Sequence, residues 1–306
     1  MMQFFDLHSD TLALVGENDF FSPQAPINIT YPKLLRGKVA VQCFAVCVPQ
    51  TSVDSVLLGN EFIRRFDRIT SEGNMPVILS ADDVASASAQ KPSALLALEG
   101  ADMLAGDPDG IFRLYDKGVR LMTLTWNNSN PFAGGIGENA AGLTPLGRQL
   151  VANCHKLGVV MDVSHLSEKS FWDLTEVSPC PIIASHSNAR ALCSNKRNLS
   201  DDQIKAIAHL GGTVGINLYP PFLSDSGTAV LDDVIRHIEY MAALVGTEHI
   251  SIGTDFDGVD NNLPRGIASP VDLPKIVAEL CRLGYSTDAI DAICYGNAAR
   301  VFTQVL

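Results

Sequence analysis

The sequence predicts an α/β fold of the (β/α)8 TIM-barrel class. Eight short apolar runs alternate with helical patterns or loops along the chain, which is typical of a parallel sheet with helices outside it. The 306 residues, 46% of them hydrophobic, suffice for one large core, so residues 1–306 are expected to form a single barrel domain. An open doubly wound sheet is the alternative, but no Gly-rich phosphate turn follows the first strand, which carries His8-Ser9-Asp10 instead.

The predicted strands are apolar runs rich in β-branched residues. They cover residues 3–8, 39–48, 94–99, 120–126, 158–165, 181–187, 213–219 and 249–255. The pair at 158–165 and 181–187 is the clearest βαβ unit, because both runs end in Ser-His and a helical segment separates them. The two histidines should therefore lie at the carboxyl ends of neighbouring strands.

The predicted helices are segments in which apolar residues recur every three or four positions. They cover residues 53–71, 81–89, 109–117, 144–157, 167–175, 200–210, 229–245, 270–283 and 287–295, followed by a last amphipathic segment. Ser200 and Gln203 form a capping-box pattern at the start of one helix. Residues 16–32 and 127–142 are expected to be loops, the first of them over the barrel mouth.

Charge, hydropathy and cysteine usage exclude several kinds of partner. The net charge of −12 and the absence of a basic cluster argue against nucleic acid. The N-terminus lacks the features of a signal peptide, and no apolar run approaches the ~20 residues of a membrane helix, so no membrane contact is expected. Seven scattered cysteines are typical of a reducing compartment and predict a cytoplasmic protein. Cys43 and Cys47 share one strand face, where a metal or redox pair is the alternative to a core role, and a homodimer is compatible with the sequence.

Six imidazole or carboxylate side chains lie at the carboxyl ends of the predicted strands, the edge where α/β barrels have their active sites. They are His8, Asp10, Glu99, His165, His186 and Asp255. Such donors suit zinc or similar divalent ions, and two ions are more natural than one because a single tetrahedral ion needs only three protein ligands. In an extended segment His8 and Asp10 would point the same way and chelate one ion, while the two oxygens of Glu99 could bridge two ions.

Each of these residues also has a structural interpretation. Asp10 alone could cap a helix, Glu99 could be a buried ion-pair partner, and Asp255 or the nearby Asp257 could cap a loop. Six such residues at equivalent strand ends are better explained by one site. No lysine ends a predicted strand, which disfavours a carbamylated-lysine bridge or a Schiff-base aldolase. The remaining histidines fall on helices or at a strand start and are expected to be structural or exposed: His155, His209, His237 and His249.

Short motifs run in a fixed order along nearly the whole chain. They are DLHSD at 6–10, LEG at 98–100, residues 121–126, MDVSH at 161–165, ASHSNA at 184–189, KRN at 196–198 and residues 253–258. In these motifs the chain resembles the membrane dipeptidase (renal dipeptidase) family of zinc metallopeptidases, M19. The resemblance implies a metal-dependent hydrolase barrel with two zinc ions per chain. One zinc would be held by His8, Asp10 and Glu99, and the other by Glu99, His165 and His186, with Glu99 as the bridge.

The resemblance also implies roles for residues around the metals. Arg197 would bind the C-terminal carboxylate of a free dipeptide, with Tyr219 near the same carboxylate. Asp255 would stand beside the metal-bound water, accept its proton and pass it to the leaving amine, while Glu99 holds both metals. The alternative for Arg197 is a solvated surface arginine, and Arg190 is a weaker candidate for the same task.

Trp126 departs from the family pattern. Well-known family members carry a histidine at this position, which would help to bind the oxyanion of the tetrahedral intermediate. The indole of Trp126 can donate one hydrogen bond but cannot transfer protons, and we expect it to line the substrate pocket at the end of the fourth strand. Two alternatives to a dipeptidase therefore stay open: another binuclear amidohydrolase-type enzyme acting on cyclic amides or lactams, and a catalytically weak metal-binding homologue.

Overall fold

The computed structural model describes residues 2–16, 19–48, 54–137 and 141–306. Eight parallel strands in these ranges form a closed barrel in sequence order, so the predicted (β/α)8 fold is confirmed. The strands are β1 (Phe4–Asp6), β2 (Val39–Cys47), β3 (Ser93–Glu99), β4 (Val119–Thr123), β5 (Val160–Asp162), β6 (Ile182–Ala184), β7 (Thr213–Ile216) and β8 (Ile250–Ile252). Closure is made by β1 and β8, which pair in parallel at Asp6 and Ile252.

The helices surround this barrel and fill its connections. They are α1 (Thr11–Leu14), α2 (Tyr31–Arg36), α3 (Ser55–Glu72), α4 (Ala81–Ser86), α5 (Gly110–Asp116), α6 (Pro145–Leu157), α7 (Glu168–Val177), α8 (Asp201–His209), α9 (Pro220–Leu223), α10 (Leu231–Val245), α11 (Pro274–Arg282), α12 (Thr287–Asp291) and α13 (Asn297–Val305). Single 3-10 turns occupy Asp19–Phe21, Ala101–Leu104, Thr247–His249 and Pro270–Asp272, and a π-helical turn, Ala292–Gly296, joins α12 to α13. The capping box predicted at Ser200 is confirmed, with Gln203 reciprocating the hydrogen bond.

Most strands are shorter than the sequence predicts. β3 ends on Glu99, whereas β1, β5, β6 and β8 stop two or three residues before His8, His165, His186 and Asp255. The predicted end of the fourth strand at 126 is wrong, because β4 ends at Thr123 and Trp126 lies in the following loop. The predicted fifth strand also extends too far, since His165 lies three residues beyond β5 with a positive φ of 68°. Leu124 and Val163 follow these strand ends and are buried, so the apolar pattern continues where the hydrogen-bonded ladder has stopped.

Three short helices, α1, α2 and α9, lie in segments where no helix is predicted, because four to six residues are too few to show a helical period. The predicted mouth loop at 16–32 contains a 3-10 turn and the start of α2, where the Thr30 hydroxyl accepts a hydrogen bond from Lys33 N. Residues 17–18 and 138–140 of the predicted loops lie outside the described residues, as does the start of the helix predicted at 53–71.

Alternate residues of each strand pack inside the barrel or against the outer helices. On β3, Leu95 belongs to the interior cluster, whereas Leu96 packs in the outer layer. Phe302 of α13 joins the interior cluster and stacks on Phe5 of β1, with ring centroids 5.2 Å apart. α13 therefore closes the amino end of the barrel, and the carboxyl end is left for the site.

The described helices include none that combines the length and the apolar character needed to cross a bilayer. All seven cysteines are free thiols. Cys43 packs in the interior cluster and Cys47 lines the cavity at the carboxyl end. Neither joins a group of metal-ligating side chains in the described part of the chain. Cys43 is therefore a residue of the core.

Candidate active site at the carboxyl end of the barrel

Five of the predicted ligands meet above the strand ends, with Glu99 at the centre. Glu99 Oε1 lies 2.9 Å from His165 Nε2 and 3.6 Å from His186 Nε2. Its other oxygen, Oε2, lies 3.4 Å from His8 Nε2, which is itself 3.4 Å from Asp10 Oδ2. The two oxygens of one carboxylate therefore face two different groups of donors.

These donors form overlapping groups whose ligand atoms lie within 4.8 Å of one another. One group is His8, Asp10 and Glu99, and the second is Glu99, His165 and His186. A third group adds Asp255 to His8 and His186, with Asp255 Oδ1 3.8 Å from His8 Nε2. The two groups that share Glu99 are the sets that the sequence predicted.

The hydrogen bonds of the two histidines leave their Nε2 atoms as lone-pair donors. His165 Nδ1 donates to Asn127 Oδ1 at 3.0 Å, and His186 Nδ1 donates to Ser185 Oγ at 2.6 Å. Both Nε2 atoms are therefore unprotonated, yet they lie only 3.0 Å apart. Two lone pairs at this distance repel each other unless a cation lies between them, which is the arrangement of a metal site.

Two further atoms of the cluster lack partners. His8 Nε2 and Glu99 Oε2 are buried and have no hydrogen bond to any described residue. A buried polar atom without a partner costs about 1–3 kcal/mol, so such atoms need an explanation. A divalent ion bound by both atoms would satisfy them, and the residues present therefore fit a metal centre.

The charges of the cluster favour a cation at its centre. Burial alone would raise the pKa of Glu99, but the charge of His8 holds that pKa well below its usual range. For His8 burial acts to lower the pKa, whereas Glu99 and Asp10 raise it well above the ordinary value. The protein thus keeps Glu99 ionised and draws positive charge to the space that the ligands enclose.

Asp255 follows β8 with a positive φ of 61°, and its carboxylate faces His8 of the cluster. Burial raises the pKa of Asp255 to about 7, and the charges of Asp10 and Glu99 add to the rise. Asn217, beyond β7, donates from Nδ2 to Asp255 Oδ2 at 2.9 Å. The free oxygen, Oδ1, is the one that faces His8, so Asp255 is placed to exchange a proton at the cluster.

The loop after β8 passes directly over the ligands, and Gly258 makes that approach feasible. A Cβ at this position would collide with Asp10 Oδ2 and with Asp255 Oδ1. Asp257 anchors the loop, because its carboxylate accepts hydrogen bonds from Thr11 Oγ1 at 2.7 Å and Asn28 N at 2.5 Å. Capping a loop is therefore the structural role of Asp257, and Asn28 of the predicted mouth loop reaches the barrel mouth.

The pairing of His8 with Asp10 follows the predicted alternation. Ser9, which lies between them, forms a parallel bridge to Phe256 beyond β1, so the two side chains flank an extended residue and face the same way. Asp10 occupies the N-cap position of α1 with φ −98° and ψ 22°, and the extended backbone ends there. Its side chain makes no capping hydrogen bond and instead approaches His8 Nε2 at 3.4 Å.

Arg197 is buried beside the cluster, with 7% of its surface exposed, so the interpretation as a solvated surface arginine is wrong. One terminal nitrogen donates to Ser187 Oγ at 3.2 Å and the other to the His186 carbonyl at 3.3 Å. Its Nε has no hydrogen-bond partner in the described structure. Arg190 uses its guanidinium to hold the carbonyls of Asn198 and Lys196.

A cavity of about 480 Å³ opens above the ligands. Aromatic and apolar side chains form its walls: Leu58, Phe62, Trp126, Tyr219 and Phe222. The Trp126 ring lies 6.3 Å from the His165 ring, and Tyr219 packs edge-on against Phe222 at 4.9 Å. Trp126 thus lines the cavity, as the sequence predicts, although it lies beyond the strand end. Tyr219 lines the same cavity, whereas Arg197 borders a narrow space behind His165.

The hydrogen bonds of four polar residues of the site were not predicted from the sequence. Asn127 and Ser185 hold the two histidine rings, Asn217 holds Asp255, and the buried Asp162 accepts the Ser185 hydroxyl. Asp162 carries a local signal, because it is an acid inside an apolar strand. Asn127 and Asn217 make contacts between separate loops, and a serine beside a histidine gives no signal of its own.

Comparisons with known proteins identify the family of the chain. The family model described as membrane dipeptidase (peptidase family M19) matches residues 1–306. A Klebsiella pneumoniae protein described as an uncharacterized protein in the pqqA 5' region is 34% identical over 77% of this chain and 90% of its own length. Rat dipeptidase 3 is 31% identical over 98% of this chain, which spans 62% of the rat protein.

A solved structure shows the same architecture. The crystal structure of a metallo peptidase from Rhodobacter sphaeroides, liganded with a phosphinate mimic of the dipeptide L-Ala-D-Ala, aligns with a TM-score of 0.91. The alignment covers 100% of this chain and 99% of that chain at 25% identity. The match of the family model over the whole chain confirms the resemblance carried by the motifs. The chain is therefore a member of the membrane dipeptidase family, peptidase family M19.

Proposed function

We propose that the protein is a zinc-dependent dipeptidase that hydrolyses the peptide bond of free dipeptides. The observation that carries the proposal is the pair of ligand groups that share Glu99, each with histidine and carboxylate donors. Two zinc ions bound there would lower the pKa of a bridging water and polarise the peptide carbonyl. The proposal is also supported by the related Rhodobacter sphaeroides structure, whose ligand mimics a dipeptide.

The remaining chemistry belongs to the chain itself. Asp255 would accept the proton of the nucleophile at Oδ1 and deliver it to the leaving amine, while Asn217 fixes its other oxygen. Arg197 would bind the C-terminal carboxylate through a charge-assisted contact, since a guanidinium matches the fork of a carboxylate. A cavity of about 480 Å³ falls in the usual range for small-ligand sites and suits a dipeptide.

Trp126 favours a second candidate, a catalytically weak homologue. The indole cannot replace a histidine in proton transfer, and an oxyanion donor typically contributes about 3–4 kcal/mol. Without a substitute donor, the protein would bind metal and turn over dipeptides slowly.

A side-by-side assay distinguishes these functions. The zinc-loaded protein is incubated with free dipeptides containing L- and D-residues, with their C-terminal amides, and with cyclic amides or lactams. We expect release of amino acids from free dipeptides, and loss of this release in Asp255→Asn at unchanged zinc content. If cyclic amides are hydrolysed and dipeptides are not, the amidohydrolase alternative replaces the proposal. Zinc binding without any turnover would favour the weak homologue.

A further inference from the structure

We propose that Asp162 and Ser185 are positioning residues that hold His186 in its metal-binding form. This inference rests on the proposed metal centre. It concerns two residues that touch neither the cavity nor the ligand atoms of Glu99. Asp162 ends β5 and Ser185 follows β6, so the two lie at the carboxyl ends of neighbouring strands.

A chain of hydrogen bonds connects the three residues in one direction. The Ser185 hydroxyl donates to Asp162 Oδ2 at 2.5 Å. Because its only proton is used there, Ser185 Oγ accepts from His186 Nδ1 at 2.6 Å. The proton of His186 is thereby fixed on Nδ1. The unprotonated Nε2 points towards Glu99 and His165 and can donate its lone pair to a metal ion.

Asp162 is built into the barrel for this contact. It is fully buried, and none of the described cationic side chains forms an ion pair with it. Its carboxylate instead accepts from Ser164 N and Ser185 N, both at 2.9 Å, and from Thr123 Oγ1 at 2.8 Å. These bonds hold one negative charge in place between β4, β5 and β6, where it can polarise the Ser185 hydroxyl.

The second histidine of the same ligand group has a weaker arrangement. His165 Nδ1 donates to the neutral amide of Asn127, which belongs to the cavity wall. The hydrogen bonds that begin at His186 end on the carboxylate of Asp162, and a carboxylate accepts a stronger hydrogen bond than the neutral amide of Asn127 does. His186 is therefore the more firmly oriented of the two ligands. Partners of this kind typically change metal affinity 10- to 100-fold when they are removed.

Thr123 provides a matched control. Its hydroxyl makes the second side-chain hydrogen bond to Asp162 Oδ2, and it is as deeply buried as Ser185. Thr123→Val removes a bond to the same carboxylate oxygen without touching the bond to His186. A purely structural role for Asp162 predicts similar effects for Thr123→Val and Ser185→Ala, whereas a positioning role separates them.

The experiment measures zinc affinity by competition with a chromogenic chelator and the ring tautomers by ¹⁵N NMR of histidine-labelled protein. We expect zinc binding about 10- to 100-fold weaker in Ser185→Ala than in wild type, with Thr123→Val within about threefold of wild type. The NMR signal of His186 is identified as the one that is absent from His186→Asn. In the zinc-free wild type this signal should show a protonated Nδ1 and an unprotonated Nε2. This second readout also applies if Ser185→Ala does not fold.

The outcomes separate this role from the function on which it rests. The positioning role would be overturned if Ser185→Ala bound zinc as tightly as wild type, or if Ser185→Ala and Thr123→Val lost the same zinc affinity. Neither result would contradict the metal centre. A wild-type His186 protonated on Nε2 would also overturn it. A wild-type protein that binds no zinc would overturn the proposed function, and the positioning role with it.

Discussion

Replacing Arg197 by alanine tests how the substrate's carboxylate is recognised. The side chain is buried, its terminal nitrogens are fixed by Ser187 Oγ and the His186 carbonyl, and its Nε has no partner among the described residues. The guanidinium is therefore oriented before any ligand arrives. A hydrogen bond to a charged group contributes roughly 1.5–3 kcal/mol, which corresponds to about 10- to 150-fold in kcat/KM.

The assay compares a free dipeptide with its C-terminal amide, using Arg197→Ala, Arg190→Ala and the wild type at equal zinc content. We expect Arg197→Ala to lose about 10- to 150-fold on the free dipeptide and little on the amide, because the amide has no charge for the arginine to bind. Arg190→Ala is the matched control, since its guanidinium holds only backbone carbonyls, and it should retain the wild-type preference. Equal losses of Arg197→Ala on both substrates would refute the reasoning and make Arg197 a structural residue.

Two further predictions concern Trp126 and His237. Trp126→His should raise kcat/KM on at least one dipeptide, because the histidine supplies an oxyanion donor. Trp126→Ala should alter the preferred substrate size more than the zinc content. Unchanged rates in both variants would place Trp126 outside the site. Burial lowers the pKa of His237 from 6.5 to about 4, so the unfolded chain binds this proton more tightly and stability falls as the pH drops from 6.5 towards 4. In urea unfolding of the metal-free protein, the free energy of unfolding of wild type should fall by about 3 kcal/mol more than that of His237→Gln between pH 7 and pH 4. Parallel curves of unfolding free energy against pH would contradict this.

The barrel could be predicted because its strands leave a strong local signal. Parallel strands covered on both faces are continuous apolar runs, and Glu99, His165 and His186 stand out as polar residues at their ends. The prediction of which residues meet therefore needed only the strand order. The strand ends themselves were less clear, because Leu124 and Val163 are buried without belonging to the ladder.

The details of the site depend on contacts that no local pattern records. Asp10 occupies the N-cap position of α1, beyond the bridge at Ser9, and Asp255 follows β8 with a positive φ. Asn217 contacts Asp255 across 38 positions of sequence. Side chains placed by turns and by separate loops follow from tertiary packing, so the sequence predicts their chemical type but not their hydrogen bonds.

The most direct test of the account is the zinc content of the purified protein after zinc loading and desalting, measured by elemental analysis. Glu99 offers one oxygen to each group of donors, so the account predicts about two zinc ions per wild-type chain and loss of both from Glu99→Ala. A wild-type content near zero, or a Glu99→Ala variant that keeps two ions, would contradict it.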